Sequence, residues 1–115
     1  MTIRAGTMKR LLFICSQNKL RSPTGEAVFA NSPGVETDSA GLNHDAEVPL
    51  SEEQLEWADV VLVMETTHRK RLNERFAHAL RGKQVVVLNI PDRYEFMDPD
   101  LVELLKARCA PYLPG

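Results

Sequence analysis

The chain has 115 residues, which suits one domain over residues 1–115 with a single core and leaves no room for two. A net charge of −2, with 43% hydrophobic and 26% charged residues, gives no electrostatic reason to expect a nucleic-acid or membrane surface. Two cysteines are too few for a disulfide scaffold, and no apolar run nears the roughly 18 residues of a membrane span or forms a signal core, so a cytoplasmic protein is expected.

Residues 1–7 read as a loosely ordered extension ahead of Met8. "KRLLFIC" (9–15) is a continuous apolar run, the pattern of a strand buried on both faces of a parallel sheet. "RSPTGEAVFANS" then predicts a helix with Ser22 as N-cap, Pro23 at its first position, and Ala27, Val28 and Ala30 on its buried face. "VETDSAG" (35–41) reads as a short strand, and "LNHDAEVP" (42–49) as a polar loop. "SEEQ" (51–54) matches a capping box opening a short helix to about Trp57.

"ADVVLVM" (58–64) predicts another buried strand, and "TTHRKRLNERFAHAL" (66–80) a helix with Leu72, Phe76, Ala79 and Leu80 at helical spacing. "QVVVLNI" (84–90) predicts a fourth strand. After the turn-rich "PDRYEFMDP" (91–99), Asp98 caps a final helix with Leu101, Leu104 and Leu105 along one stripe. Strands alternating with helices imply right-handed crossovers: an α/β, three-layer, doubly wound fold, its four-stranded parallel sheet covered by helices on both faces. Ligands of such sheets bind beyond the C-terminal strand ends, where Cys15 stands and Asp92 can join it.

The loop "CSQNKLR" joins a strand to a helix N-terminus. Its N–H groups can turn inward, and with the helix dipole they make a cradle for a phosphate-sized anion. Arg21 can add a bidentate fork. The same field favours the thiolate of Cys15, to which Ser22 can donate a hydrogen bond. Thiolate attack on a phosphate gives a phosphocysteine and a leaving group that needs a proton, for which Asp92 is the candidate general acid. Asp98 is a rival in the same loop, but it already has a sufficient role as helix cap. This chemistry needs no metal or cofactor, and His44, His68 and His78 are scattered without metal-site spacing.

"CSQNKLRSPTGEAVF" resembles the phosphate loop and following helix of the low-molecular-weight protein tyrosine phosphatases. "DSAG" (38–41), "WADVVLVMETTHRKRL" (57–72), "IPDRYEF" (90–96) and "DLVELLKARC" (100–109) resemble later segments of that family, in the same order. The resemblance implies a phosphotyrosine phosphatase I-like fold. It makes Cys15 the nucleophile, Arg21 the phosphate-binding arginine and Asp92 the general acid. It also makes Ser16, Gln17, Asn18, Lys19, Leu20 and Ser22 the phosphate-binding loop, with Asn18 and Ser39 supporting its shape and Tyr94 flanking the substrate, alone or with Phe96. The implied partner is a phosphorylated protein or a small phosphate ester.

Three departures set expectations. Gln17 stands where the family has a glycine, which bears on the loop conformation. Leu20 replaces a cysteine that can protect the nucleophile as a disulfide. The polar loop at 42–49 offers no aromatic wall. Arsenate reduction, with Cys109 as the resolving thiol, and non-catalytic phosphate binding are the two alternatives. Cys109 itself falls on the apolar side of the last helix, where a core role is expected. Lys19 and Arg93 would either bias the mouth toward anions or remain solvated charges.

Overall fold

The structure, a computed structural model, describes residues 8–114, so the expected extension at residues 1–7 lies outside it. Four strands form one parallel sheet: β1 (Lys9–Cys15), β2 (Val35–Gly41), β3 (Val60–Val63) and β4 (Gln84–Val87). Their order is β2-β1-β3-β4. The chain leaves β1 toward β2 on one side and later returns to β3 on the other. The ends of β1 and β3 therefore flank the topological switch point. Register places Cys15 opposite Gly41 and Ile14 opposite Val63, so the loops after β1, β2 and β3 emerge along one edge.

The alternation of side chains along β1 builds two cores. Leu11, Phe13 and Cys15 face one layer with Phe29, Leu101, Leu105 and Cys109. Leu12 and Ile14 face the other with Leu55, Val61, Val63 and Leu72. Helices α1 (Arg21–Phe29) and α4 (Pro99–Cys109) thus cover one face, and α2 (Glu52–Trp57) and α3 (Thr66–Phe76) the other. A Cβ at Gly25 would come 2.6 Å from the Phe13 ring. The missing side chain lets α1 lie directly on the strand that ends at Cys15. Among the described residues, no helix is long and apolar enough to cross a membrane.

The capping box of α2 is present: Ser51 accepts from the Gln54 N–H, and the Gln54 side chain accepts from the Ser51 N–H. Asp98 caps α4 by accepting from the Asp100 N–H at 2.9 Å. Other expected boundaries differ. Helix α1 starts two residues early, with Leu20 as its N-cap, because the Ser22 hydroxyl turns inward rather than capping. Its buried face is Arg21, Ser22, Thr24, Gly25 and Phe29; of the expected residues Val28 packs half-buried against the core, while Ala27 and Ala30 are exposed. The helix serves the loop before it serves the core. Strand β4 stops at Val87, and Asn89 with φ 57° turns the chain out of extended geometry. Helix α3 ends at Phe76, whose φ of −133° breaks it before a 3₁₀ turn at Ala77–Leu80.

Candidate active site

The loop between β1 and α1 is held from outside by its carbonyls. Cys15 O, Ser16 O and Gln17 O accept from the N–H groups of Leu42, Asn43 and Glu47, each at 2.9 Å. Arg71 and Arg75 of α3 fix the bracing loop in turn, donating to Asn43 Oδ1 and to Leu42 O. With its carbonyls turned outward, the loop keeps its N–H groups for the interior. Gly41 allows this approach, since a Cβ there would sit 2.7 Å from Ser16 O. The resulting pocket has a volume of about 120 Å³ and is lined by Cys15, Ser16, Gln17, Lys19, Leu20, Arg21 and Asp92.

The side chains behind the loop form a buried polar chain. Ser22 Oγ lies 2.9 Å from Cys15 Sγ. Asn18 Nδ2 donates to Ser22 Oγ at 3.0 Å and to Ser39 Oγ at 2.9 Å, and Ser39 donates to Glu26 Oε1. With Ser22 held as an acceptor by Asn18, its own proton is free to point at sulfur, which stabilises negative charge there. Asn18 and Ser39 therefore stand where loop support was expected. Ser22 is fully buried, and neither it nor Asn18 lines the pocket. Their side chains support the loop from behind.

The left-handed residue of the loop is Asn18 (φ 58°), not Gln17. Gln17 therefore carries no strain, and the expectation drawn from its missing glycine falls away. Tyr94 packs half-buried against the core and is not among the residues lining the pocket. Phe96, 51% exposed, lies in the neighbouring groove with Lys19 and Val48. Asp92 lies at the mouth, its Oδ1 3.7 Å from Arg21 Nε, while Asp98 caps α4 away from the pocket. Cys109 is fully buried, and burial pushes its thiol up to about 12.

Two residues at the site escaped sequence reasoning. Arg21 is 3% exposed, and its Nη1 donates to Glu65 Oε2 at 2.5 Å and to Ile90 O at 2.7 Å. Those bonds occupy one nitrogen and leave the Nε–Nη2 edge to present a fork to an oxyanion. His68, 2% exposed, accepts from the Glu65 N–H at Nδ1, so its Nε2 carries the proton and donates to Ser16 Oγ at 3.1 Å. Burial above all, then the charge of Arg21, lowers the His68 pKa to about 4 against the opposing pull of Glu65. The signal for both was position: Glu65 follows β3 at the same sheet edge as Cys15, and His68 is three residues on at the start of α3.

Fold and site define a class: a doubly wound domain with an oxyanion cradle, a cysteine at its base and a carboxylate at its mouth. Comparison with known proteins agrees. No protein-family profile matches the chain. A protein-arginine-phosphatase of Geobacillus stearothermophilus is 33% identical, with 61% of this chain and 64% of that protein aligned, so the chain spans under two thirds of that relative. Among solved structures, the tyrosine phosphatase Wzb of Escherichia coli K30 in complex with phosphate superposes with a TM-score of 0.73 at 23% identity, covering 91% of this chain and 96% of that one. The YwlE arginine phosphatase, as a cysteine-to-serine mutant with a phosphorylated active-site serine, gives 0.68 at 26% identity, covering 90% and 95%. The chain shares the fold of these phosphatases and resembles them in sequence.

Proposed function

We propose that this protein hydrolyses phosphorylated substrates through a phosphocysteine intermediate, without a metal. The observation that carries the reading is the convergence of Cys15, Arg21 and Asp92 on one pocket lined by the intervening loop. The Cys15 thiolate attacks phosphorus, forming the S–P bond as the P–O bond to the leaving group breaks. Arg21 and the loop N–H groups stabilise the charge on the three equatorial oxygens. Asp92 gives its proton to the leaving oxygen. Water then attacks phosphorus, Asp92 takes its proton, the S–P bond breaks, and phosphate leaves with the thiolate restored. Ser22 stabilises that thiolate as leaving group in the second step.

Protein phosphotyrosine or a similar aryl phosphate is the substrate class that the family resemblance suggests. A second reading, phosphoarginine, is favoured by the pocket mouth. It carries the carboxylate of Asp92, with that of Glu65 bonded to Arg21 and lining the adjoining cavity beside Asp92, and no aromatic side chain lines it. Carboxylates at the mouth suit a guanidinium leaving group, which in this reading takes the proton of Asp92 on nitrogen as the P–N bond breaks. The arginine phosphatases among the relatives point the same way. The arsenate reading loses support, because a resolving thiol must ionise and Cys109 is held protonated in the core.

Release of inorganic phosphate from p-nitrophenyl phosphate, a phosphotyrosine peptide and a phosphoarginine peptide tests both readings. Wild-type protein should release phosphate, vanadate should inhibit it, and Cys15→Ser should bring it to background. Normal turnover by Cys15→Ser would refute the nucleophile. Phosphate binding without turnover of any of the three would favour a binding module instead.

A further inference from the structure

Beside the phosphate pocket lies a second groove of about 510 Å³, sharing Lys19 with it. Its walls are Val48, 46% exposed, and Phe96, 51% exposed. Only three large hydrophobic side chains are strongly exposed among the described residues; these are two of them, and the third, Met97, follows Phe96 in sequence. Exposed apolar side chains scattered singly need no explanation, but their concentration at one mouth marks an interaction surface. The groove is rigidly held. Its Val48 side comes from the loop whose Glu47 N–H braces Gln17 O, and beside Phe96 the Met97 N–H donates to Thr24 Oγ1 at 3.0 Å.

The charge of the groove is as uneven as its apolar content. It holds the carboxylates of Glu26, Asp38 and Glu47 against the single cation Lys19 at the border. Glu26 accepts from Ser39, and Asp38 accepts from Gln54 and from the Ser39 N–H. Glu47 is exposed, and its side chain makes no hydrogen bond or ion pair among the described residues. An occupant complementary to these walls has a long apolar stem and a positive head.

We propose that this groove docks a lysine or arginine flanking the phosphorylated residue of a polypeptide substrate, its stem against Val48 and Phe96 and its head on Glu47. The inference rests on the phosphatase reading and deepens it, making the substrate a protein segment rather than a small phosphate ester. Lys19 sits between the two sites, where it repels the head from the phosphate pocket and leaves Glu47 as its place.

Two phosphopeptides that differ only in a flanking Lys or Glu test this, carrying the phosphoresidue that turns over faster, with p-nitrophenyl phosphate as reference. Wild type should prefer the Lys peptide by about fivefold in kcat/KM, mostly through KM, as an exposed ion pair plus a partly covered stem would give. Glu47→Lys should reverse the preference and Val48→Ser should reduce it, with p-nitrophenyl phosphate turnover within about twofold of wild type. Equal kcat/KM for the two peptides in wild type would overturn the docking proposal while leaving the phosphatase reading intact. So would a Glu47→Lys loss shared equally by p-nitrophenyl phosphate. If wild type turns over none of the three, the phosphatase reading fails, and calorimetric binding of the two peptides to Cys15→Ser still decides the groove: tighter binding of the Lys peptide supports it, and equal binding overturns it.

Discussion

Arg21 Nη1 and Glu65 Oε2 lie 2.5 Å apart, joining the loop after β1 to the end of β3 across the switch point. The bond orients a guanidinium that has almost no contact with solvent, and Ile90 O shares the task. Glu65 also draws charge from the cation that, in the proposed reaction, meets phosphate. Orientation and anion affinity are therefore set in opposition by one carboxylate.

Replacing Glu65 separates the two effects. Glu65→Ala should lower kcat by about tenfold, the low end of what a charge-assisted hydrogen bond contributes, because Glu65 is 38% exposed and partly screened. The inhibition constant of inorganic phosphate should stay unchanged or tighten, since a more positive Arg21 attracts the anion. Steady-state kinetics with phosphate as inhibitor measures both. A parallel weakening of phosphate binding would mean that Glu65 holds the cradle itself rather than the fork.

Asp92 and Asp98 are six residues apart and do different work. Asp92→Asn should cut kcat by about 10²- to 10⁴-fold, the usual worth of a positioned acid, and most for leaving groups of high pKa. Asp98→Asn keeps an N-cap and should leave both stability and kcat nearly unchanged, whereas Asp98→Ala should cost about 1 kcal/mol of stability. Urea unfolding alongside a leaving-group series separates them. An Asp98→Asn enzyme as impaired as Asp92→Asn would exchange the two assignments.

Much of this molecule is written in local patterns. The run "LLFIC", the capping box at Ser51 and the cap at Asp98 each act through neighbours a few residues away, and each is found where it was expected. The loop at Cys15 is legible for the same reason: Cys15, Arg21 and Ser22 fall within eight residues. What the sequence conceals is held by contacts across the sheet edge. Glu65 and His68 reach the site only because β3 ends beside β1, and Tyr94 packs half-buried against the core. The left-handed position is a finer case, since it belongs to Asn18 and not to the neighbour that lacks a glycine.

That placement makes a prediction about the loop. Gln17→Gly should not raise activity and should lower stability by about 0.5–1 kcal/mol, through the freedom that glycine adds to the unfolded chain. Asn18→Ala should cost more, since it strains a left-handed residue and removes the bonds to Ser22 and Ser39. Asn18→Gly should relieve the strain alone and fall between wild type and Asn18→Ala. Thermal unfolding of the three variants gives the order; a stabilising Gln17→Gly would show that the loop wants its glycine after all.

His68 gives the fold a pH dependence whose sign follows from its burial. The native ring has a pKa of about 4 against 6.5 when unfolded, so between those values the unfolded chain binds a proton that the native one does not. Stability then rises with pH through this window. It is complete above about 6.5 and falls as pH drops toward 4, by about 3 kcal/mol if the whole shift is expressed. Burial is the main cause and the charge of Arg21 the next, with Arg71 adding to it and Glu65 and Asp92 opposing. His68→Gln cannot take up that proton and should flatten the slope in this window, even as it loses some stability with the bond to Ser16. Urea unfolding of wild type and His68→Gln at steps between pH 4.5 and 7.5 reads the difference directly. Parallel curves would mean that the native ring protonates as readily as the unfolded one, and that the site opens to water more easily than its packing implies.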